Sequence, residues 1–418
     1  MKRLVHPLFT LALAVMACGS ATLTLTPIQA IESPTPQALA PPKINPSALW
    51  YLTRGDAKSD QAWGVDTDSR GNVYVAAYMQ HPPNRRFFDM VIYKFSPDGK
   101  ELWRTQWGGD LQEKAFIVTI SEPYVFVGGL VNTKATLTEA DMAVLALDMN
   151  TGRVLWSFTW GQGFGYEEVD GLVVDGGYIY ISGWTTGKKT SGDMAVLKLD
   201  QEGNLIWAKT WGTSGFDEAD GQIAADENAI YVSGRINATN MFLGGDAVLV
   251  KFSKENGDYL THKTWGGANF DDGLGMTSDG TYLYVVGLTL SYGKSGQIFL
   301  LKYDKNLNLL WQRIWGGLKG ESARAVEVDN DGNILVAGAA ASYGNGEDDV
   351  VLLEYSPEGA LNWYRIWGGP LKDAVHGLAI DGDFAYLAGN TNSYGKGQDD
   401  ALVIKADGRN GRFPPVSR

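Results

Sequence analysis

Twelve of the 14 tryptophans of this chain stand in two columns of a repeat. Trp107, Trp160, Trp211, Trp265, Trp315 and Trp367 follow one another at gaps of 53, 51, 54, 50 and 52 residues. Four residues before each stand Trp103, Trp156, Trp207, Thr261, Trp311 and Trp363. A chain of 418 residues would otherwise read as two or three domains. A period near 50 residues overrides that prior, because each unit must bury its apolar faces against its neighbours.

Each unit reads as four strands, here lettered a to d. In the sixth they are ARAVEV (323–328), NILVAGA, DVVLLEY and ALNWYRIW, separated by DNDG, AASYGNGED and SPEG. Alternating and β-branched residues make the strands, and Gly, Pro, Asn and Asp make the turns. Seven a–b–c sets begin near Gln61, Lys114, Glu168, Glu218, Asp272, Ser322 and Ala374. The seventh ends at ALVIKA and DGRNGRFPPVSR with no tryptophan strand, while the stretch ALWYLTR at 48–54 places Trp50 and Arg54 on the two tryptophan columns. The chain is therefore expected to be all-β, a seven-bladed β-propeller of four-stranded blades over 48–418. The N-terminal strand would complete the last blade and close the ring, which removes free sheet edges. An open β-solenoid would not need this half-repeat offset.

Ahead of the repeats, MKRLVHPLFTLALAVMACGS has a basic tip and an apolar run too short to span a membrane. It reads as an export signal. Val15-Met16-Ala17-Cys18 matches a lipobox, in which the cysteine is lipidated and becomes the first residue; Cys18 is the only cysteine of the chain. This gives a signal peptide of 1–17, with cleavage after Ala30 (1–30) as the alternative. Residues 18–47 carry Pro34, Pro36, Pro41, Pro42 and Pro46 and read as an extended tether. The expected location is the cell envelope, lipid-anchored to a membrane; the alternative is a secreted or periplasmic soluble protein. A net charge of -13 disfavours nucleic acid as a partner and suits a soluble monomer that binds a protein or another envelope component.

The units share the pattern WGG-x3-[DE]-x-A-x-G, then DxDGNxYVAGxTxSYGxGxDD, then LKYDxxGxLxW. With it the chain resembles bacterial and archaeal cell-surface proteins that carry the beta-propeller (SBBP-type) repeat. The resemblance covers residues 48 to about 406 and implies a propeller fold and an envelope or extracellular scaffold. ALDMNTGRVLW (146–156), and loosely LDQEGNLIW (199–207), resemble the repeats of quinoprotein (PQQ-type) propellers, found in alcohol dehydrogenases and in outer-membrane assembly lipoproteins. The vicinal cysteine pair of some quinoprotein dehydrogenases is missing from this sequence.

Strand polarity puts the d–a and b–c loops on one face, and the b–c loops vary most between units, so binding is expected there. Each unit opens strand a with a carboxylate: Asp60, Glu113, Glu167, Asp217, Asp271, Glu321 and Asp373. Two readings stand side by side: a cation site, calcium being the one cofactor to consider, or fasteners that accept hydrogen bonds from the adjacent loop. Asp89, Asp141, Asp193, Asp246, Gln297, Asp349 and Asp400 open strand c, where one Gln among the acids favours hydrogen bonding. Three residues beyond the first acids lies a column that varies between units: Trp63, Phe116, Asp170, Asp220, Leu274, Arg324 and His376. A small residue follows in most units, so this column should point at the channel mouth. Trp63, Asp170, Asp220, Arg324 and His376 are the candidate binding residues, against a reading as channel filling. No HExxH, GxSxG or phosphate-cradling glycine loop occurs, and no catalytic residue is assigned. The expected function is a noncatalytic binding or scaffolding propeller whose partner face is formed by the b–c and d–a loops. The alternatives are an enzyme at the channel mouth (lyase, hydrolase or quinone-dependent) and a calcium-stabilised structural surface protein.

Overall fold

The computed structural model describes residues 49–55, 59–80, 87–134, 139–162, 165–186, 192–239 and 244–416. The signal, the tether and Cys18 lie outside the described residues. Among the described residues there is no helix, and the strands form seven antiparallel sheets in chain order. The first sheet runs from the axis outward as Asp60–Thr67, Val73–Gln80, Phe88–Phe95 and Glu101–Trp107. In the fourth, the inner strand is interrupted into Phe216–Glu218 and Ile223–Ala225. The seventh holds Asp373–Asp381, Phe384–Thr391 and Asp400–Asp407, and its outermost strand is Trp50–Arg54. Trp50 lies opposite Lys405 and Arg54 opposite Ala401, the register in which Trp363 meets Glu354 and Trp367 meets Val350 one blade earlier. The molecule is a seven-bladed β-propeller closed by its N-terminal strand.

Strands b and c are apolar along their whole length because neighbouring blades cover both faces: Val73–Gln80 is buried at its first six positions. Strand d lies at the rim, and Glu101–Trp107 alternates between half-buried and exposed residues. Seven large core clusters result, each between two successive sheets, and an eighth, small one of Trp184, Phe216 and Ala238 lies beside that of blades three and four. One joins the first blade (Val73, Val75, Tyr93, Phe95) to the seventh (Tyr386, Ala388, Val403), so the closing junction packs like the others.

A repeated latch adds direction to this packing. In blades one, three and seven a strand-c lysine and the first tryptophan of strand d donate to carbonyls in the c–d turn of the next blade. Lys94 Nζ and Trp103 Nε1 lie 3.1 and 3.2 Å from Met149 O. At ring closure Lys405 Nζ and Trp50 Nε1 lie 3.0 and 3.1 Å from Pro97 O. The tryptophan also lies on a left-handed glycine of that turn. A Cβ on Gly99, Gly152, Gly203, Gly257 or Gly411 would meet the ring of Trp50, Trp103, Trp156, Trp207 or Trp363 at 3.0 Å or less.

The fourth blade breaks the pattern on both sides at once. Its tryptophan is replaced by Thr261, and the facing turn of the fifth blade carries Leu307 where the others carry glycine, still at a left-handed φ of 62°. Leu307 is 1% exposed and packs with Tyr231, Leu283 and Tyr303, filling the space the tryptophan leaves. Leu307→Gly should therefore cost about 2–4 kcal/mol, the loss of a buried leucine offset in part by relief of backbone strain. Thr261→Trp alone should also destabilise. The double variant should recover most of the loss in a urea-unfolding cycle; purely additive effects would contradict this coupling.

Candidate functional site

The d–a/b–c face is held by the opening carboxylates. Asp271 Oδ2 accepts from Gly267 N (2.8 Å) and Ser291 Oγ (2.6 Å). Glu321 accepts from Gly317 N (2.7 Å) and Ser342 N (2.9 Å), and Asp373 Oδ2 from Gly369 N (2.7 Å) and Ser393 Oγ (2.7 Å). Asp217 takes Thr213 and Asn237 N, Asp60 takes Gln80 N, Glu113 takes Gly109 N, and Glu167 takes Thr185 Oγ1. All seven are buried, one per blade. Each ties the turn entering its blade, or the end of its strand b, to the start of strand a. The strand-c acids do similar work: Asp349 accepts from Asn345 N and Gly346 N, and Asp400 from Lys396 N and Gly397 N.

The variable column is placed by a backbone device. In five blades the a–b ladder skips one residue on strand a, and the extra residue is Trp63, Phe116, Asp170, Arg324 or His376. In the fifth blade the skip takes in Gly273 and Leu274. In the fourth, Asp220 lies in the break between the two short inner strands. Such a bulge re-aims a side chain that regular pleating would send sideways, here toward the axis. The small residue that follows lets the inner strands meet: a Cβ on Gly64 would stand 2.7 Å from Val118 N, and one on Gly377 2.4 Å from Trp63 O.

Trp63, Phe116, Asp170, Leu274, Arg324 and His376 converge around a constriction of about 40 Å3. The Trp63 and His376 rings stack with centroids 4.2 Å apart, Phe116 meets Trp63 edge-on, and the Arg324 guanidinium lies 5.4 Å from the Trp63 ring centre. Arg324 Nη1 is 3.8 Å from Asp220 Oδ2. Outward of the constriction, between blades five, six and seven, opens a cavity of about 480 Å3. Its lining includes Trp63, Arg324 and His376, with Lys319, Lys372 and Leu290. A second cavity, about 270 Å3, lies at the other end of the axis and is lined by Asp66, Thr277 and Glu327 among others.

Two further columns, not singled out in the sequence, complete the mouth. The residue after each opening carboxylate faces a strand-b residue across the ladder: Glu168 pairs Trp184, Glu218 pairs Arg235, and Ala374 pairs Asn390. Trp184 Nε1 and Tyr166 OH each donate to Glu168 over 3.0 Å. Arg235 is fully buried, ion-paired to Glu218, 3.9 Å from Asp272 Oδ2 and stacked on Phe270. The only signal available in the sequence was that these columns change from unit to unit while their neighbours do not.

The mouth is therefore divided. On blades three to five, Glu168, Asp170, Glu218, Asp220 and Asp272 crowd together. Burial first, and then mutual repulsion, raises the pKa of Glu218 to about 9 and that of Asp272 to about 7, and pushes Asp170 well up. On blades one, six and seven the surface is aromatic and basic. There Asn390 donates Nδ2 to Asp399 Oδ1 (3.1 Å) and turns its own Oδ1 to His376 Nε2 (3.0 Å). The proton accordingly sits on Nε2, and the buried Nδ1 is an acceptor with no partner. Burial, and next the charge of Arg324, lower the His376 pKa to about 3.

The sequence matches, over residues 89–213 and 140–413, a family model described as outer membrane protein assembly factor BamB. The chain belongs to this family. No curated protein matches in sequence. Among solved structures, the WD40 propeller domain of Doa1 superposes with a TM-score of 0.52 at 13% identity, covering 86% of this chain and 97% of that one. The WD40 domain of Neurospora crassa Pan2 gives 0.51 at 10% identity, covering 90% and 99%. The quinohemoprotein alcohol dehydrogenase of Comamonas testosteroni gives 0.46 at 11% identity, covering 90% and 79%. The first two likenesses establish the propeller fold.

A histidine whose folded pKa is depressed favours the fold at neutral pH and loses that contribution as pH falls from about 6.5 toward 3. His376 should show a neutral Nε2–H imidazole by 15N NMR, with no titration between pH 5 and 8. A midpoint near 6.5 would contradict the geometry.

Proposed function

We propose that the protein is a noncatalytic binding and scaffolding propeller of the bacterial envelope, a monomer tethered to a membrane through lipid on Cys18, whose partner docks on the d–a/b–c face at the channel mouth. One observation carries the reading: side chains that vary between blades are gathered at this mouth, whereas the start of strand a beside it is fastened by a buried carboxylate in every blade. A rigid frame with unlike residues at one place is the arrangement of a recognition site. Family membership supports the envelope, since the family's name is that of an outer membrane assembly factor. The SBBP-type surface-protein likeness points to the same compartment.

Two measurements test the proposal. Cys18→Ser should move the protein from the membrane to the soluble fraction of cells. A photo-crosslinking residue at Lys372, on the mouth rim, should capture a discrete partner in cells. The same probe at Arg70, on the opposite face, should not. Adducts only from Arg70 would overturn the assignment of the face.

A further inference from the structure

We propose that Glu218, Asp220 and Asp272 form a site for one divalent cation of the hard, oxygen-seeking class, with calcium preferred, in the interrupted inner strand of the fourth blade. This goes beyond the binding role proposed above and does not depend on it.

The geometry comes first. One carboxylate oxygen from each of these residues lies within 4.8 Å of the other two; among the described residues this is the one such group of three. Calcium bonds oxygen at about 2.3–2.6 Å, so a single ion reaches ligands separated by up to about 5 Å. Every donor is an oxygen, with no His or Cys to favour zinc or copper. The seven opening carboxylates are distributed differently, one per blade, each taking at least one N–H or hydroxyl donor of its own blade, although Glu167 Oε2 has none.

The second observation is an unused oxygen. Asp272 is 3% exposed, and its Oδ1 accepts no hydrogen bond. Oδ2 of Asp170, on the neighbouring blade, is also buried and without a hydrogen-bond partner. A buried carboxylate oxygen with no donor costs free energy unless something positive meets it. The two arginines at hand do not meet it. Arg235 engages Glu218 and stands 3.9 Å from the other oxygen of Asp272, and Arg324 stands 3.8 Å from Asp220.

Charge gives the third argument. Glu168, Asp170, Glu218, Asp220 and Asp272 are faced by Arg235, Arg324 and, beside Glu168, Lys114, so acids outnumber bases by two, which one divalent ion would offset. The backbone accommodates it: the strand stops after Glu218 and resumes at Ile223, so the one-residue bulge of five other blades is here a four-residue break around Asp220. Corresponding positions in the sixth and seventh blades are Ser322 and Ala374, so the site cannot recur there, and the equivalent acids of the third blade, Glu168 and Asp170, form no such group of three.

The test is calcium binding by the full mature protein after chelation, read by calorimetry and by thermal melting with calcium or magnesium. One calcium per chain should bind, and saturating calcium should raise Tm by several degrees, more than magnesium does. Asp272→Asn should abolish both effects. Should that variant fold poorly, Asp220→Asn, at a half-exposed position, should weaken binding at least tenfold. Asp60→Asn, in the opening ring far from the cluster, should lower Tm yet keep the calcium-dependent rise. Absence of binding by the wild type, a stoichiometry near seven, or calcium binding unchanged in Asp272→Asn and Asp220→Asn would each overturn the proposal.

Discussion

Five residues at one end of the chain, Trp50–Arg54, pair with a strand ending some 350 residues later, and the ring exists because they do. A propeller blade buries both faces of its inner strands only when it has a neighbour on each side. Without closure, blades one and seven would each expose a face of Val, Tyr and Phe and an unpaired strand edge. The junction is built to the specification of the others. Lys405 and Trp50 reach Pro97 O as Lys94 and Trp103 reach Met149 O, and Trp50 lies on Gly99 as Trp103 lies on Gly152. Because the closing junction uses the same latch as the junction of blades one and two, closure needs no contact of its own.

Symmetry of this kind works against function unless it is broken locally. The opening carboxylates repeat in every blade, and the left-handed turn residue is glycine in six blades and Leu307 in the fifth. Function is free to reside where the repeat relaxes, at the bulge residue beside the axis and at the ladder pair next to it. The bulge is what converts an ordinary strand into a mouth. It turns Trp63, Arg324 and His376 inward against one another, and in the fourth blade it widens into a break that releases Asp220. The stability of the other junctions supports the buried carboxyl groups, Arg235 and the unpartnered His376 Nδ1 that this one region contains.

Much of this was legible in the sequence, for a physical reason. Large tryptophans at a fixed period must each cover a neighbouring unit, so their spacing reports the blade and their offset reports the closure. The variable column was legible because the small residue after it, Gly64 or Gly377, marks where inner strands crowd. The bulge was not, since inserting one residue leaves no composition signal in a strand rich in Ala and Val. Nor were Glu168, Glu218 and Arg235 singled out, because a polar residue at the end of a strand looks like a solvent-facing one until its ladder partner is known. The exchange of tryptophan for Thr261 was visible in the sequence, whereas that of glycine for Leu307 was not singled out. Only the packing of strand d on the next blade's turn shows them to be one change.

Closure by the N-terminal strand is tested most directly by amide hydrogen exchange of the intact protein, followed by mass spectrometry on peptides spanning 49–55 and 400–407. The account predicts protection of Tyr51–Arg54 comparable to that of strand d in the other blades, for example Leu309–Trp315, lost only with global unfolding. Exchange of this strand within seconds under native conditions, with the other outer strands protected, would mean that the ring is held by blade-to-blade packing and not by the pairing of its two ends.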